Sequence, residues 1–177
     1  MMGMSSPEWA AYLRDELGVP MGLDAISGDV VRRMMDGYRR ELPLLPGADR
    51  AVRALAALWP LGLASSSNRE VIDLVLELAG FGDCFRVTVS SEEVERGKPA
   101  PDVYLAVAGA LEADPERCVA AEDSSNGIRA AAAARMGVIA VPNPHYPPSP
   151  DALALAAVTV DTVGEITPQL VEGTYSR

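Results

Sequence analysis

CVAAEDSSN, residues Cys118–Asn126, leads into Gly127 and an alanine-rich segment, and this order of residue types indicates the fold. An apolar run that ends in two carboxylates and a hydroxyl-rich turn predicts a buried strand, a loop and a helix. Ligands of open α/β sheets bind at the carboxyl ends of strands, so we expect Glu122 and Asp123 at a functional edge. Adjacent carboxylates repel unless a cation compensates, which favours Mg²⁺. The alternative is that Asp123 or Ser124 only caps the helix and Glu122 is a solvated charge.

A second polar segment follows an earlier predicted strand. Leu61–Ala64 is short and apolar, and it continues into the hydroxyl-rich run 65–68, directly before a predicted helix at Arg69–Ala79. Hydroxyl groups and the exposed N–H groups of a helix N-terminus favour a phosphate, so this run predicts an anion site. The alternative is an ordinary Ser or Asn helix cap.

A third segment places a lysine between two conformationally restricted positions. Lys98 lies between Gly97 and Pro99, after a predicted strand at Arg86–Ser90 and before a predicted helix at Asp102–Leu111. An ammonium held there, near a carboxylate cluster, can balance charge and bind phosphate as a point charge. The alternative is a solvated surface lysine, the commonest environment of this residue type.

The alternation of elements predicts the architecture. From Ala48 onwards helices and short strands alternate, which indicates a parallel sheet with right-handed crossovers and a doubly wound, Rossmann-like α/β core. Before Pro43 the pattern is helical, and PLLPG at 43–47 interrupts it. We therefore predict a partial helical cap at residues 1–42 and a core at residues 43–177. Pro168 and the polar end Glu172–Arg177 are expected to form a closing turn and a frayed tail.

Composition limits the classes of partner. The 177 residues are 49% hydrophobic, enough for a substantial core, and the net charge of −10 argues against nucleic-acid and anionic-membrane partners. The expected ligand is small. Cys84 and Cys118 lie at apolar, strand-like positions and are expected to be buried free thiols, which suits a reducing cytoplasm. With no recognisable signal peptide or membrane span, we expect a cytoplasmic protein.

Taken together, three segments resemble three of the four ordered motifs of the haloacid dehalogenase superfamily. They are LASSS at 63–67, GKPAPD at 97–102 and EDSSNGI at 122–128. The resemblance is closest to the branch that contains β-phosphoglucomutase and small sugar-phosphate phosphatases. It implies catalytic roles for Ser65, which would bind the transferring phosphoryl group, and Lys98, which would stabilise its charge and the nucleophile.

The same resemblance implies the remaining site residues. Ser66 and Asn68 would contribute to phosphate binding, and Asp123 together with Glu122 would hold Mg²⁺. The helical region before Pro43 resembles part of the mobile cap that closes over the substrate and excludes water. Within that region, four residues resemble the substrate-specificity loop of the cap: Gly3, Met4, Ser5 and Ser6.

The sequence differs from the family at the family's first motif. That motif is Asp-x-Asp, which supplies the aspartyl nucleophile, and the sequence contains no Asp-x-Asp. We expect the central first strand, between the strands that end at Ser65 and Asp123, to be missing as well. Its absence would open a cleft between two apolar strands and leave backbone groups unpaired. Either the coding region starts upstream, which we prefer, or the chain is a shortened and inactive relative.

These observations lead to one main expectation and several alternatives. A full-length parent would hydrolyse a small phosphate monoester with Mg²⁺ through an aspartyl-phosphate, and this chain as written would have little or no activity. A mutase is less expected, because Ser6 stands where such mutases carry an Arg for the distal phosphate. A non-catalytic module could instead bind a metabolite or a protein, or self-associate through the incomplete sheet. Finally, the motif matches could be only caps and turns.

Overall fold

The computed structural model describes residues 6–175. Five strands lie at Leu61–Ser65 (β1), Phe85–Ser90 (β2), Val119–Glu122 (β3), Gly137–Ala140 (β4) and Val158–Thr159 (β5). The helices of eight or more residues are Ser6–Asp15 (α1), Leu23–Arg40 (α2), Ala48–Ala56 (α3), Arg69–Ala79 (α4), Asp102–Ala110 (α5), Ser125–Ala133 (α6) and, after the four-residue α7 at Pro150–Leu153, Pro168–Tyr175 (α8).

The strands pair in parallel, as the alternation of elements predicts. β1 lies beside β2, with Ser65 opposite Ser90, and β4 lies between β3 and β5, with Glu122 opposite Ala140. A parallel pair requires a crossover connection, which α4 supplies between β1 and β2 and α6 supplies between β3 and β4. The α/β class with parallel strands is therefore confirmed.

The two sheets are separate among the described residues. β1 is hydrogen-bonded to β2 alone, and β3 to β4 alone, so each has one strand edge without a strand partner in residues 6–175. These two edges are where we expect the family's first strand. That a strand is missing from the chain stays a prediction.

The central strand β4 shows how the core is built. Val138 and Ala140 belong to one buried cluster, whereas Ile139 belongs to another, because successive side chains of a strand point to opposite faces of the sheet. Ile128 of α6 packs in the first cluster, and Leu170 of α8 packs against the second. Helices therefore cover both faces of this sheet, as a doubly wound core requires.

The largest difference from the sequence-based prediction is at the carboxyl-terminal end. Pro168, predicted in a closing turn, and residues 172–175, predicted in a frayed tail, instead belong to α8, whose Thr174 is buried; residues 176 and 177 lie outside the described residues. The helix packs against β3 and β4, close to Gly137. Its apolar residues, Leu170 and Val171, are too few for a recognisable helical period, so only the contact with the sheet reveals the helix.

The amino-terminal helices form a layer of their own but also touch the core. α1 packs on α2, and α2 also contacts α4. The boundary between cap and core at residue 43 stays a prediction. In the described part of the chain, no helix has both the length and the apolar character needed to cross a bilayer.

Candidate functional site

A cavity of about 350 Å³ lies at the carboxyl ends of β1 and β3. Its polar wall contains five of the residues singled out from the sequence: Ser65, Ser66, Lys98, Glu122 and Asp123. Ser124 completes the polar wall, and apolar residues that include Leu45, Val141 and Val163 line the rest. The sequence motifs therefore converge on one place, although they are separated by up to about 60 positions along the chain.

The loop after β1 is fixed by hydrogen bonds to itself and to the end of β2. The Ser65 hydroxyl accepts a hydrogen bond from the Ser67 backbone N–H at 3.1 Å. The Ser90 hydroxyl donates to the Ser67 carbonyl at 2.7 Å, and the Ser66 and Ser91 hydroxyls lie 3.4 Å apart. Because β2 runs parallel to β1, its end is beside this loop, and these contacts reach Ser67 and Ser66, of which Ser66 lines the cavity.

Asn68 is held away from the cavity lining. Its Oδ1 accepts from the Ser6 hydroxyl at 2.8 Å, and its Nδ2 donates to Glu92 Oε1 at 2.9 Å. The side chain makes no capping hydrogen bond to α4, so the simple cap alternative does not describe it. Its predicted part in phosphate binding stays a prediction. The other members of the predicted specificity loop lie outside the described residues: Gly3, Met4 and Ser5.

Lys98 is buried and joins the two sheets. Its side chain is 7% exposed, so the solvated-lysine alternative is wrong. The ammonium donates to the Ala64 carbonyl of β1 at 3.1 Å and to Glu122 Oε1 at the end of β3. Lys98 is also the only lysine in the sequence. A single ammonium therefore bridges the unpartnered edges of β1 and β3.

Glu122 is a buried carboxylate whose two oxygens both accept hydrogen bonds. Oε1 accepts from Lys98 Nζ and from the Tyr104 hydroxyl at 2.5 Å. Oε2 accepts from the Asp123 backbone N–H at 3.1 Å and from the Ser124 hydroxyl at 3.3 Å. This set of donors compensates the cost of burying the charge, so the alternative of a solvated loop charge is wrong.

Gly127 explains why a small residue follows the acidic turn. A Cβ atom at this position would overlap the carboxylate of Glu122. The first turn of α6 can therefore approach Glu122 only because Gly127 has no side chain. The glycine in the EDSSNGI motif is a requirement of close packing on the buried carboxylate.

Ser124 caps a helix, whereas its neighbour Asp123 faces the cavity. Ser124 is the N-cap of α6, with its hydroxyl accepting from the Gly127 backbone N–H at 3.0 Å, so the capping alternative holds for Ser124. Asp123 lines the cavity instead. Burial, followed by the charge of Glu122, raises the pKa of the Asp123 carboxyl above its ordinary value. A cation beside Asp123 would favour its ionised form.

The carboxylates at the cavity can supply only part of the ligands that Mg²⁺ requires. Within residues 6–175 no cluster of three or more His, Cys, Asp or Glu side chains is placed to hold a metal. Mg²⁺ commonly uses one or two carboxylates and completes its coordination with waters and phosphate oxygens, so Asp123 at the cavity wall is compatible with it. A direct bond from Glu122 would compete with Lys98 and Tyr104. Metal binding by either carboxylate stays a prediction.

Tyr104 is a contact of this site that the sequence did not reveal. It lies in α5, where its ring belongs to a buried cluster and its hydroxyl reaches Glu122. Burial, and then the charge of Glu122, raises the pKa of Tyr104 well above the ordinary tyrosine value, so the hydroxyl stays a donor. A tyrosine on an apolar helix is ordinarily a core residue, and the sequence carried no signal that its hydroxyl meets a carboxylate.

Comparisons with known proteins agree with this geometry. The haloacid dehalogenase-like hydrolase family matches residues 2–135. Hexitol phosphatase B of Escherichia coli is 39% identical over 139 residues, which cover 78% of this chain and 62% of that protein. The bifunctional riboflavin kinase/FMN phosphatase of Arabidopsis thaliana is 34% identical over 145 residues, 81% of this chain and 38% of that protein. The chain thus spans less than two thirds of the length of each of these relatives.

A solved structure supports the fold. A β-phosphoglucomutase from Clostridium difficile superimposes with a TM-score of 0.81, and the match covers 98% of this chain and 78% of that one. At 22% identity this likeness concerns the fold alone.

Proposed function

Because the chain belongs to the haloacid dehalogenase-like hydrolases, we propose that it forms the core of a Mg²⁺-dependent phosphatase of a small phosphate monoester. The observation that carries the proposal is the convergence of Ser65, Lys98 and Asp123 on one cavity. These residues supply a hydroxyl, an ammonium and a carboxylate. Such a set can hold a phosphoryl group beside a divalent cation. The phosphatase relatives are consistent with this activity.

In the proposed reaction, the residues of this chain bind and orient the phosphoryl group. The Ser65 and Ser66 hydroxyls would contact its oxygens, and Lys98 would offset the negative charge that accumulates on them. Asp123 would hold Mg²⁺, which when bound polarises phosphate oxygens and reduces their repulsion toward an anionic nucleophile. Glu122 would hold Lys98 in place through the contact already described.

The nucleophile would be an aspartate of an Asp-x-Asp segment. Its carboxylate oxygen forms a bond to phosphorus while the bond to the alcohol oxygen breaks, and water then hydrolyses the aspartyl-phosphate. The sequence has no such segment. We therefore propose that an extended form carries out the reaction and that this chain alone turns over little substrate. The helical region 1–42 would belong to the cap that covers the substrate.

The test compares this chain with a version extended upstream to the nearest in-frame Asp-x-Asp. Hydrolysis of an aryl phosphate is measured with and without Mg²⁺, and we expect turnover only from the extended form with Mg²⁺. Asp123→Asn in the extended form should lower the rate at least about 100-fold, because the developing charge loses its stabilisation.

Thermal unfolding shows whether a loss of activity comes from a loss of folding. Thermal unfolding of Asp123→Asn should match that of the parent, because the residue lies at the cavity wall rather than in a buried cluster. Full activity of folded Asp123→Asn, or equal activity with and without Mg²⁺, would contradict the proposal.

A second candidate function follows from the open strand edges. β1 and β3 each lack a strand partner on one side within residues 6–175, and such edges can accept an extended segment of another chain. A binding module of this kind, including one that self-associates, would be non-catalytic. Sedimentation would show a dimer or a bound partner, and an upstream reading frame without Asp-x-Asp would favour this function over the phosphatase.

Substrate class and location are also proposals. The net charge of −10 favours a small phosphorylated metabolite over nucleic acid as the ligand. Cys84 and Cys118 are free and half-buried, which is compatible with the cytoplasmic location expected from the sequence.

A further inference from the structure

We propose that Tyr104 is a positioning residue that holds the Lys98 ammonium in its orientation toward the cavity. The inference rests on the proposed function, in which Lys98 binds the phosphoryl group. It concerns a residue outside the three sequence motifs, on the buried side of α5.

Tyr104 contacts both members of the buried ion pair. Its hydroxyl donates to Glu122 Oε1 at 2.5 Å, the same oxygen that Lys98 contacts. Its ring centroid lies 5.0 Å from Lys98 Nζ, within the range of cation–π attraction. The polar end of Tyr104 therefore fixes the carboxylate, and its aromatic face lies beside the ammonium.

The Lys98 ammonium has one acceptor for each of its three N–H groups, although it rotates freely on a long, flexible stem. The acceptors are Glu122 Oε1, the Ala64 carbonyl at 3.1 Å and, at the longest distance, the Tyr104 hydroxyl at 3.4 Å. With the carboxylate fixed by Tyr104, the ammonium has one favourable orientation, and a phosphate in the cavity would replace the longest of the three contacts.

The packing of Tyr104 in the core does not require its hydroxyl. Tyr104 is 7% exposed and its ring packs in the core cluster, which a phenylalanine would fill equally well. A buried hydroxyl is costly unless it is hydrogen-bonded, and here its partner is the carboxylate that anchors Lys98. The hydroxyl thus serves the ion pair rather than the core.

The sole lysine makes a direct test possible. When the chain is produced with lysine that carries ¹³C at Cε, the NMR spectrum contains one labelled methylene signal, and it reports on Lys98 alone. We expect two well-separated Hε shifts in the wild type, because the side chain is held in one rotamer. Tyr104→Phe should reduce their separation by at least about half, since the carboxylate loses a hydrogen bond to a charged group. Tyr146→Phe, at an exposed tyrosine, is the matched control and should leave the signal unchanged.

Phosphate binding provides the functional readout. The dissociation constant of inorganic phosphate, measured by calorimetry on the same chain, should rise about fivefold in Tyr104→Phe. It should rise further in Tyr104→Leu, which also removes the ring from the ammonium. Circular dichroism and thermal unfolding confirm that each variant is folded.

The two readouts separate the possible failures. An unchanged Lys98 signal in folded Tyr104→Phe overturns the inference, even if thermal stability falls, because a purely structural role would not move that signal. If the signal responds but the wild-type chain binds no phosphate, the positioning role stands and the proposed function loses its support. If phosphate binds and Tyr104→Phe changes neither its affinity nor the signal, the inference alone is wrong.

Discussion

Two ion pairs near the strand ends have the same chemistry but different surroundings. Lys98 and Glu122 bring together β1 and β3 with side chains that are 7% and 6% exposed. Arg69 and Glu93 bring together α4 and the end of β2 with side chains that are 35% and 42% exposed. Water can replace the partner of an exposed charge, but it cannot do so for a buried one.

Both pairs lie within hydrogen-bond networks, and the difference between them is their exposure to water. Glu122 needs four donors, which come from Lys98, Tyr104, Asp123 and Ser124. Such a carboxylate has one permitted position, and the ammonium beside it is fixed as well. Glu93 also accepts three hydrogen bonds, two from Arg69 and one from the Ser90 backbone N–H, but water reaches this pair and can replace a lost partner. A preorganised charge is what a phosphoryl-binding site requires.

The largest effect should come from removing the buried negative charge. Glu122→Gln removes the carboxylate that is hydrogen-bonded to the buried Lys98 ammonium, so the free energy of unfolding should fall by about 3–5 kcal/mol. Urea denaturation at neutral pH measures it. The matched change at the exposed pair, Glu93→Gln, should lower the free energy of unfolding by less than about 1 kcal/mol. Similar losses in the two variants would show that the buried pair is hydrated in solution.

An intermediate effect should follow from crowding the buried carboxylate. Gly127→Ala places a Cβ atom on Glu122, so the carboxylate or α6 must shift, and the free energy of unfolding should fall by about 1–3 kcal/mol. Gly109→Ala is the matched control, because Gly109 is helical and exposed and a Cβ atom there meets nothing within 4 Å. That variant should be up to about 1 kcal/mol more stable than the wild type. Equal stability of both variants would contradict the close approach.

The smallest effect is a pH dependence at the exposed pair. Hydrogen bonding to Arg69 lowers the pKa of Glu93 below its ordinary value. A lowered pKa in the folded state adds stability that is complete above the unfolded-state pKa and is lost as the pH falls through the folded-state pKa. The difference in unfolding free energy between the wild type and Glu93→Gln, below about 1 kcal/mol at pH 7, should therefore vanish on acidification. A difference that persists at low pH would assign it to packing rather than to the ion pair.

Most of the fold could be predicted, because its signals are local. The bounds of α4 are those expected from the sequence, and β1, β2 and β3 lie within one or two residues of the runs that predicted them. A short apolar run followed by polar turn residues is enough to indicate a strand and its functional end. The exception is α8, whose existence depends on contact with the sheet rather than on its own pattern.

The sequence by itself determined the class of fold and which segments end at the cavity, because the period of apolar residues and the position of turns follow from local conformation. The tertiary structure alone decided that Lys98 is buried, that Asn68 bonds to Ser6 and Glu92, and that Tyr104 reaches Glu122. These contacts join residues distant in the chain, and their geometry depends on how helices pack on the sheets. Local patterns carry no record of that packing, so a tyrosine that orients a charge looks the same in the sequence as one that fills the core.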